Sequence, residues 1–313
     1  MHRYIIKRML MLIPVVIGVS FLIFFIMDLA PGDIVSLIAP EATVEQQEAL
    51  RHEYGYDRSV MYRYGKYMRG LVTGDLGTSF LSNRPVWDTY KERLPATLKL
   101  ALGAIIVSNL ISIPLGIFSA VHAGSLWDNM SMVLALIGLS MPNFWLGLLL
   151  IIAFSLGLGW FPSGGAQGFS SIVLPAITVG TGHAAMLTRT TRSSMIDVIR
   201  QDYLNTARSK GVSEKIVIRK HAFKNALIPI ITVSGTQLAA GLGGAVLTET
   251  VFAWPGVGRL IIDSVHQRDV PAVTGSIIMT TILISVLLLL VDLLYAFVDP
   301  RIKAQYAKGG GRK

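Results

Sequence analysis

Long stretches of this chain carry no charge, and they alternate with stretches dense in it. Met9–Met27 is uncharged, Asn129–Thr188 contains no Asp, Glu, Lys or Arg, and neither does Asn225–Thr248. A helix of about 20 apolar residues crosses a hydrocarbon core about 30 Å thick. On that measure six spans are predicted: Met9–Met27, Leu100–Val121 interrupted by Pro114, Met130–Leu158 broken near Pro142, Ile172–Thr188, Asn225 to about Leu247 with Pro229 near its start, and Val270–Val291. Between the first two lies Ile34–Leu94, polar and nearly balanced in charge. A segment of that length translocates largely regardless of its charge. Within it Thr43-Val44-Glu45-Gln46-Gln47 reads as a helix start with early acids, and Gly70, Gly74 and Gly77 mark loops. A small, mostly helical external subdomain is expected there.

The longest basic block is Arg189–Lys224, with nine Lys/Arg against three Asp/Glu. A basic block between apolar walls is the mark of a cytoplasmic loop. Ile196, Ile199, Tyr203 and Ala207 recur at helical spacing until Gly211 breaks the run. Ser213 is placed to cap a second short helix carrying Ile216, Ile218 and Phe223. Two short amphipathic helices around a glycine would make a docking surface; the pattern is equally that of a solvated loop that only fixes orientation. Charge in the other loops gives both termini inside: Gly159–Ser171 has no Lys/Arg, Pro255–Asp269 has two and the tail from Asp299 has five. His122–Asn129 has none, although counting the spans puts it inside. The basic N-terminus before an apolar run resembles a signal peptide. The run is long, however, and ends in Asp28-Leu29-Ala30-Pro31-Gly32-Asp33 rather than a small-x-small site, so a retained first span is expected.

Composition agrees. Of the 313 residues 52% are hydrophobic and only 15% charged, against about 25% in soluble domains. An integral membrane protein in a lipid bilayer is expected. With no Cys there is neither a disulfide framework nor a thiolate metal site. The net charge of +9 is not a nucleic-acid signal, because the Lys/Arg sit beside apolar spans, where orientation explains them. Prolines within the spans suit either a bundle around a pathway or ordinary packing kinks.

Ionisable groups in or near the spans are His183, Glu249 and Asp292. Each is a functional candidate because charge in the membrane is costly, and each has a structural reading: His183 at the inner boundary, Glu249 at the outer one, and Asp292 paired with Arg301. The chain has no G-x-x-x-x-G-K-[ST], H-E-x-x-H or G-x-S-x-G motif, so it holds no nucleotide cradle of the first type and no catalytic cofactor or metal site is expected. An intramembrane serine protease could use Ser140 with His183, but a lone Ser and a lone His in a bundle are usually packing residues.

Asp202–Pro229, D-Y-L-N-T-A-R-S-K-G-V-S-E-K-I-V-I-R-K-H-A-F-K-N-A-L-I-P, resembles the cytoplasmic signature of permease subunits of ABC importers, in particular the dipeptide/oligopeptide/nickel family. Where the general pattern has Glu-Ala-Ala this chain has Asn205-Thr206-Ala207, with Gly211 at the usual offset. His221-Ala222-Phe223-Lys224 replaces the later Ile-x-Leu-Pro, as in the peptide branch. Further blocks agree in order: Tyr4-Ile5-x-Lys7-Arg8 with Leu29–Asp33, Gly74–Ser79, Ser140–Trp145, Glu249–Gly258, and Asp292–Tyr295 with Asp299-Pro300-Arg301. The resemblance covers nearly the whole chain and is similar to the first subunit of a heterodimeric pair.

The resemblance implies an all-α membrane protein of the type I ABC importer permease fold. Its six transmembrane helices divide as 1–30 (N-terminus and first span), 31–95 (external subdomain), 96–298 (core, with the coupling loop 189–224) and 299–313 (cytoplasmic tail). It implies a transport subunit of a bacterial or archaeal inner membrane with no enzyme site of its own. The implied partners are a second homologous permease, one or two ABC ATPases that use ATP and Mg, and an external solute-binding protein. Di- or oligopeptides are the implied solutes, with nickel chelates or glutathione as alternatives. Asp202, Tyr203, Asn205, Thr206, Ala207, Lys210 and Gly211 would dock the ATPase, and Asn143 and Glu249 are candidates for the pathway. A stand-alone secondary transporter is the reading from another class; it would show internal repeats or buried charge relays, and neither is evident.

Overall fold

The computed structural model describes residues 2–29 and 34–298, and among these the chain is helical without a strand, apart from one bridge between Thr78 and Pro85. The Leu29–Asp33 block beyond its first residue, Asp299-Pro300-Arg301 and the cytoplasmic tail lie outside the described residues. Helix α1 is His2–Leu29. The subdomain after it contains α2 (Ile34–Ile38), α3 (Val44–Tyr54) and α4 (Val60–Val72). The expected start of α3 is a full capping box: Thr43 accepts from the Gln46 amide, and the Gln46 side chain accepts from the Thr43 amide.

Helix α5 runs for 36 residues, Val86–Val121, and so begins well before the expected Leu100. Its first turns carry Asp88, Lys91, Glu92, Arg93 and Pro95, which the sequence pattern assigns to the external subdomain. The helix is longer than a span needs, and Arg84 is fastened to Glu92 there at 2.5 and 3.1 Å. Helix α6 (Leu126–Ser140) and α7 (Asn143–Leu150), which continues through π-type turns to Gly157, meet at a bend of 95°. Pro142 ends α6 because a residue before proline avoids the helical region, and it starts α7, whose first amides need no partner. Each arm is about 20 Å long, and at this angle the two together reach about 30 Å, one hydrocarbon thickness.

Helix α8 (Ser170–Ile199) packs along α5 and forms the centre of the bundle. Helix α9 (Asp202–Ser209) follows it. The second short helix expected after Ser213 is not a separate element. Helix α10 (Glu214–Ile216) passes through π-type turns at Val217–Ala222 into α11 (Phe223–Gly244), so Glu214–Gly243 is one span-length unit. Nothing between Ser213 and Asn225 breaks a helix, and the buried Val217, Ile218 and Ala222 serve a long helix as well as a short one. The Ser213 hydroxyl makes no cap bond; its carbonyl accepts from Ile216 and Val217 instead. Short α12 (Val246–Val251) and α13 (Val257–His266) lead to α14 (Val270–Val298).

Among the described residues five helices are long and apolar enough to cross a membrane, and the bent pair makes a sixth. The pair does connect opposite ends of α8. Asp128, near its start, bonds Arg192 near the end of α8, whereas Gly165, just beyond it, bonds Phe252 close to where α8 begins. The chain is therefore a multi-pass membrane protein whose bundle has a basic end, holding Arg189–Lys224, and a far end, holding the subdomain α2–α4.

Candidate functional site

At the basic end, α9 is held down by one deeply buried side chain. Leu204 is fully buried, packed with Met195, Val217, Ile218, Ala222 and Ala226. The rest of the helix surface is left open: Asp202, Tyr203, Asn205 and Thr206 are exposed, as are Lys210 and Gly211 after it. Ala207, expected beside them, is half-buried against the cluster that holds Leu204 and belongs to the support. Polar ties fix the helix from both ends. Arg208 donates to Glu214 at 3.0 and 2.9 Å and to Asn205 Oδ1 at 3.1 Å, and Asn225 Nδ2 donates to the Tyr203 hydroxyl at 2.7 Å. Between α9 and α10 the chain turns at Gly211 with φ of +79°, a conformation in which a side chain is strained. Ile196 and Ile199, expected in one helix with Tyr203, end α8 instead; both helices share the same apolar cluster, which is why one periodicity ran through them.

Beneath α9 lies a pair that sequence reasoning missed. Asp128, 2% exposed, accepts from Arg192 Nε at 2.7 Å and Nη2 at 2.6 Å, from the Ser119 hydroxyl and from the Gly124 amide at 2.9 Å. Four donors converge on one carboxylate, so the loop 122–129, which carried no orienting charge, is tied to the basic end. The signal in the sequence was the single acid in that loop and the first arginines after α8's apolar stretch.

At the far end, Glu249 is fully buried. It accepts from the Thr97 hydroxyl at 2.8 Å and from the Arg259 amide at 3.0 Å, while Thr97 accepts from the Val257 amide at 2.8 Å. Glu249 and Thr97 thus cap α13, satisfying amides that a helix start leaves open. The carboxylate fits because position 256 is glycine: a Cβ there would lie 2.2 Å from Glu249 Oε1. Trp254 Nε1 donates to Ala96 O at 2.9 Å and Phe252 packs on Gly147. Glu249–Gly258 is therefore a clamp joining α5, α7, α12 and α13.

Asn143, the other expected pathway residue, is half-buried at the α6–α7 bend beside Gly182, where a Cβ would stand 2.6 Å from its Oδ1. No hydrogen bond joins it to Glu249. His183 is half-buried inside the bundle, its carbonyl accepting from Gln237 Nε2 at 3.0 Å. Ser140 donates to Leu136 O in its own helix, not to His183. Asp292 accepts from Tyr4 at 2.7 Å and Arg8 at 2.9 Å, joining α14 to α1; the expected partner Arg301 lies outside the described residues.

The multi-pass bundle thus presents one short exposed helix, α9, on a buried apolar base. The chain belongs to the family described as binding-protein-dependent transport system inner membrane component, whose model matches residues 112–304, and the N-terminal model of the same systems matches residues 1–101. It is 41% identical to the oligopeptide transport system permease protein AppB of Bacillus subtilis (strain 168), over 97% of this chain and 100% of that one. It is also 41% identical to the glutathione transport system permease protein GsiC of Escherichia coli (strain K12), over 97% and 99% respectively. Its fold is similar to that of an inward-facing MetNI methionine ABC transporter, with a TM-score of 0.57 and 18% identity over 67% of this chain and 96% of that one. The expected fold, an ABC importer permease of type I, is the one found.

Proposed function

We propose that the chain is one of two membrane subunits of an ATP-driven importer of short peptides, with the basic end cytoplasmic and both termini on that side. The observation that carries this reading is α9: an exposed helix anchored through Leu204 to the ends of α5, α8 and α11. A force applied to such a helix passes directly into the bundle. Asp202, Tyr203, Asn205, Thr206, Lys210 and Gly211 form the face that a separate ABC ATPase grips, and Ala207 supports them. ATP hydrolysis takes place in that partner, with Mg, and not in this chain. Closure of the ATPases moves α9 with them and switches the bundle between two states, each favoured by a ligand bound elsewhere. An external binding protein supplies the solute at the far end, and a second homologous permease completes the pathway. Peptides are favoured because the relatives with matching length are named for oligopeptide and glutathione, and glutathione is itself a tripeptide.

The test is co-purification with candidate ATPase subunits. Asn205→Arg and Thr206→Arg change only exposed positions and leave Leu204 in place. Capture of an ATPase by the intact chain and its loss in folded, membrane-inserted variants is expected. Equal capture by both would remove α9 as the docking element. Uptake of labelled dipeptide and glutathione into vesicles holding the whole assembly then identifies the solute.

A further inference from the structure

At the far end, between α3, α4 and the loop before α5, lies a cavity of about 300 Å³. Its walls are aromatic: Tyr54 and Phe80 have ring centroids 4.7 Å apart, and Tyr56 lies 6.4 Å from Phe80. Arg63 stacks on Tyr56 at 4.4 Å and pairs with Asp28 through Nη2. Two residues lining this cavity carry buried donors with no partner: Arg63 Nε and the Tyr67 hydroxyl. Buried polar atoms are nearly always satisfied, so a pair of orphans in one cavity calls for an acceptor. Both Tyr phenols stay protonated donors, since burial pushes Tyr56 up to about 12 and raises Tyr67 as well. Lys66 and Glu53 line the same cavity, exposed and with no ionic partner among the described residues.

We infer that this cavity is a receiving site for a short peptide with a free C-terminus and an apolar or aromatic side chain. Arg63 Nε–H, Tyr67 O–H and the Lys66 ammonium take the carboxylate, the rings take the side chain, and Glu53 takes the terminal ammonium. The volume is at the lower end for ligand pockets and suits a dipeptide. The site rests on the peptide-importer reading and deepens it, placing a first stop for solute outside the membrane-spanning helices.

The test uses the full chain with its second permease subunit in nanodiscs, without binding protein. The probe is labelled Phe-Ala, compared with its C-terminal amide. Saturable binding of Phe-Ala is expected, weakened roughly tenfold by Lys66→Gln and by Tyr67→Phe, as for one lost charge-assisted bond. Amidation should weaken binding to the intact protein similarly and add little in Lys66→Gln. Tyr67→Phe removes only an unpartnered hydroxyl, so folding is preserved. No saturable binding, or variants that bind like the intact protein, would leave a water-filled space and overturn the inference. Peptide uptake by vesicles of the whole assembly separates the two readings. Uptake without cavity binding sinks the receiving site alone, and binding without uptake sinks the importer's solute assignment while the site stands.

Discussion

The Asp128–Arg192 pair allows a prediction with a sign and an order. Its two members are unequally buried: Asp128 is 2% exposed, whereas the Arg192 side chain is 30% exposed. Replacing Arg192 with Gln leaves the carboxylate in the protein, with only the Ser119 hydroxyl and the Gly124 amide to hold it. Breaking a buried pair typically costs about 3–5 kcal/mol, and the two remaining donors place this variant near the low end, about 3 kcal/mol. Replacing Asp128 with Asn strands the arginine instead, but the guanidinium can turn toward water, so about 2 kcal/mol is expected. The double variant has no stranded charge and should lose about 3 kcal/mol, roughly 2 less than the sum, which is within the range of coupling between direct partners. The assay is a double-mutant cycle by equilibrium unfolding in mixed detergent micelles. Additive single losses, or a larger loss for Asp128→Asn than for Arg192→Gln, would refute the reasoning from unequal burial.

Three further outcomes are expected. Glu249→Ala should destabilise by about 2–3 kcal/mol, since it leaves the buried Thr97 hydroxyl and the part-buried Arg259 amide unpaired; a thermal midpoint like that of the intact chain would contradict the cap. Gly211→Ala should cost about 1 kcal/mol through the positive φ and lower ATPase capture more than it lowers stability; capture at the intact level would show that the turn tolerates a side chain. Tyr4→Phe should cost about 1 kcal/mol and loosen α1 from α14, read as faster proteolysis at the N-terminal span, with Arg8 still holding Asp292; unchanged proteolysis would deny the hydroxyl a structural part.

The spans were legible because uncharged runs have no other use in a chain so apolar, and the break at Pro142 because proline forbids the preceding helical residue. The turn at Gly211 was legible for the same kind of local reason. What escaped was set by distance or by ambiguity. Asp128 and Arg192 are 64 residues apart, Thr97 and Glu249 are 152 apart, and nothing local marks either as one half of a pair. The start of α5 was hidden by Pro95 and its charged neighbours, which read as part of the polar external segment rather than as the first turns of a span. The apolar face at Val217, Ile218 and Ala222 fits a short helix or the beginning of a long one, and only tertiary packing decides. Glu249 looked like a boundary charge; Gly256 and Gly258 close behind it were the available hint that a backbone had to approach a bulky group.

The right-angle turn between α6 and α7 has a consequence for how the protein is made. Straightened, Met130–Leu158 would be about 43 Å long, more than 10 Å beyond the hydrocarbon thickness. The insertion machinery reads hydropathy over a window, and to it this run is a single segment. In the folded chain the bend takes up that surplus length. A Pro142→Ala chain would still enter the bilayer with the same number of crossings; its error would show afterwards, as a helix too long for the space left between its neighbours.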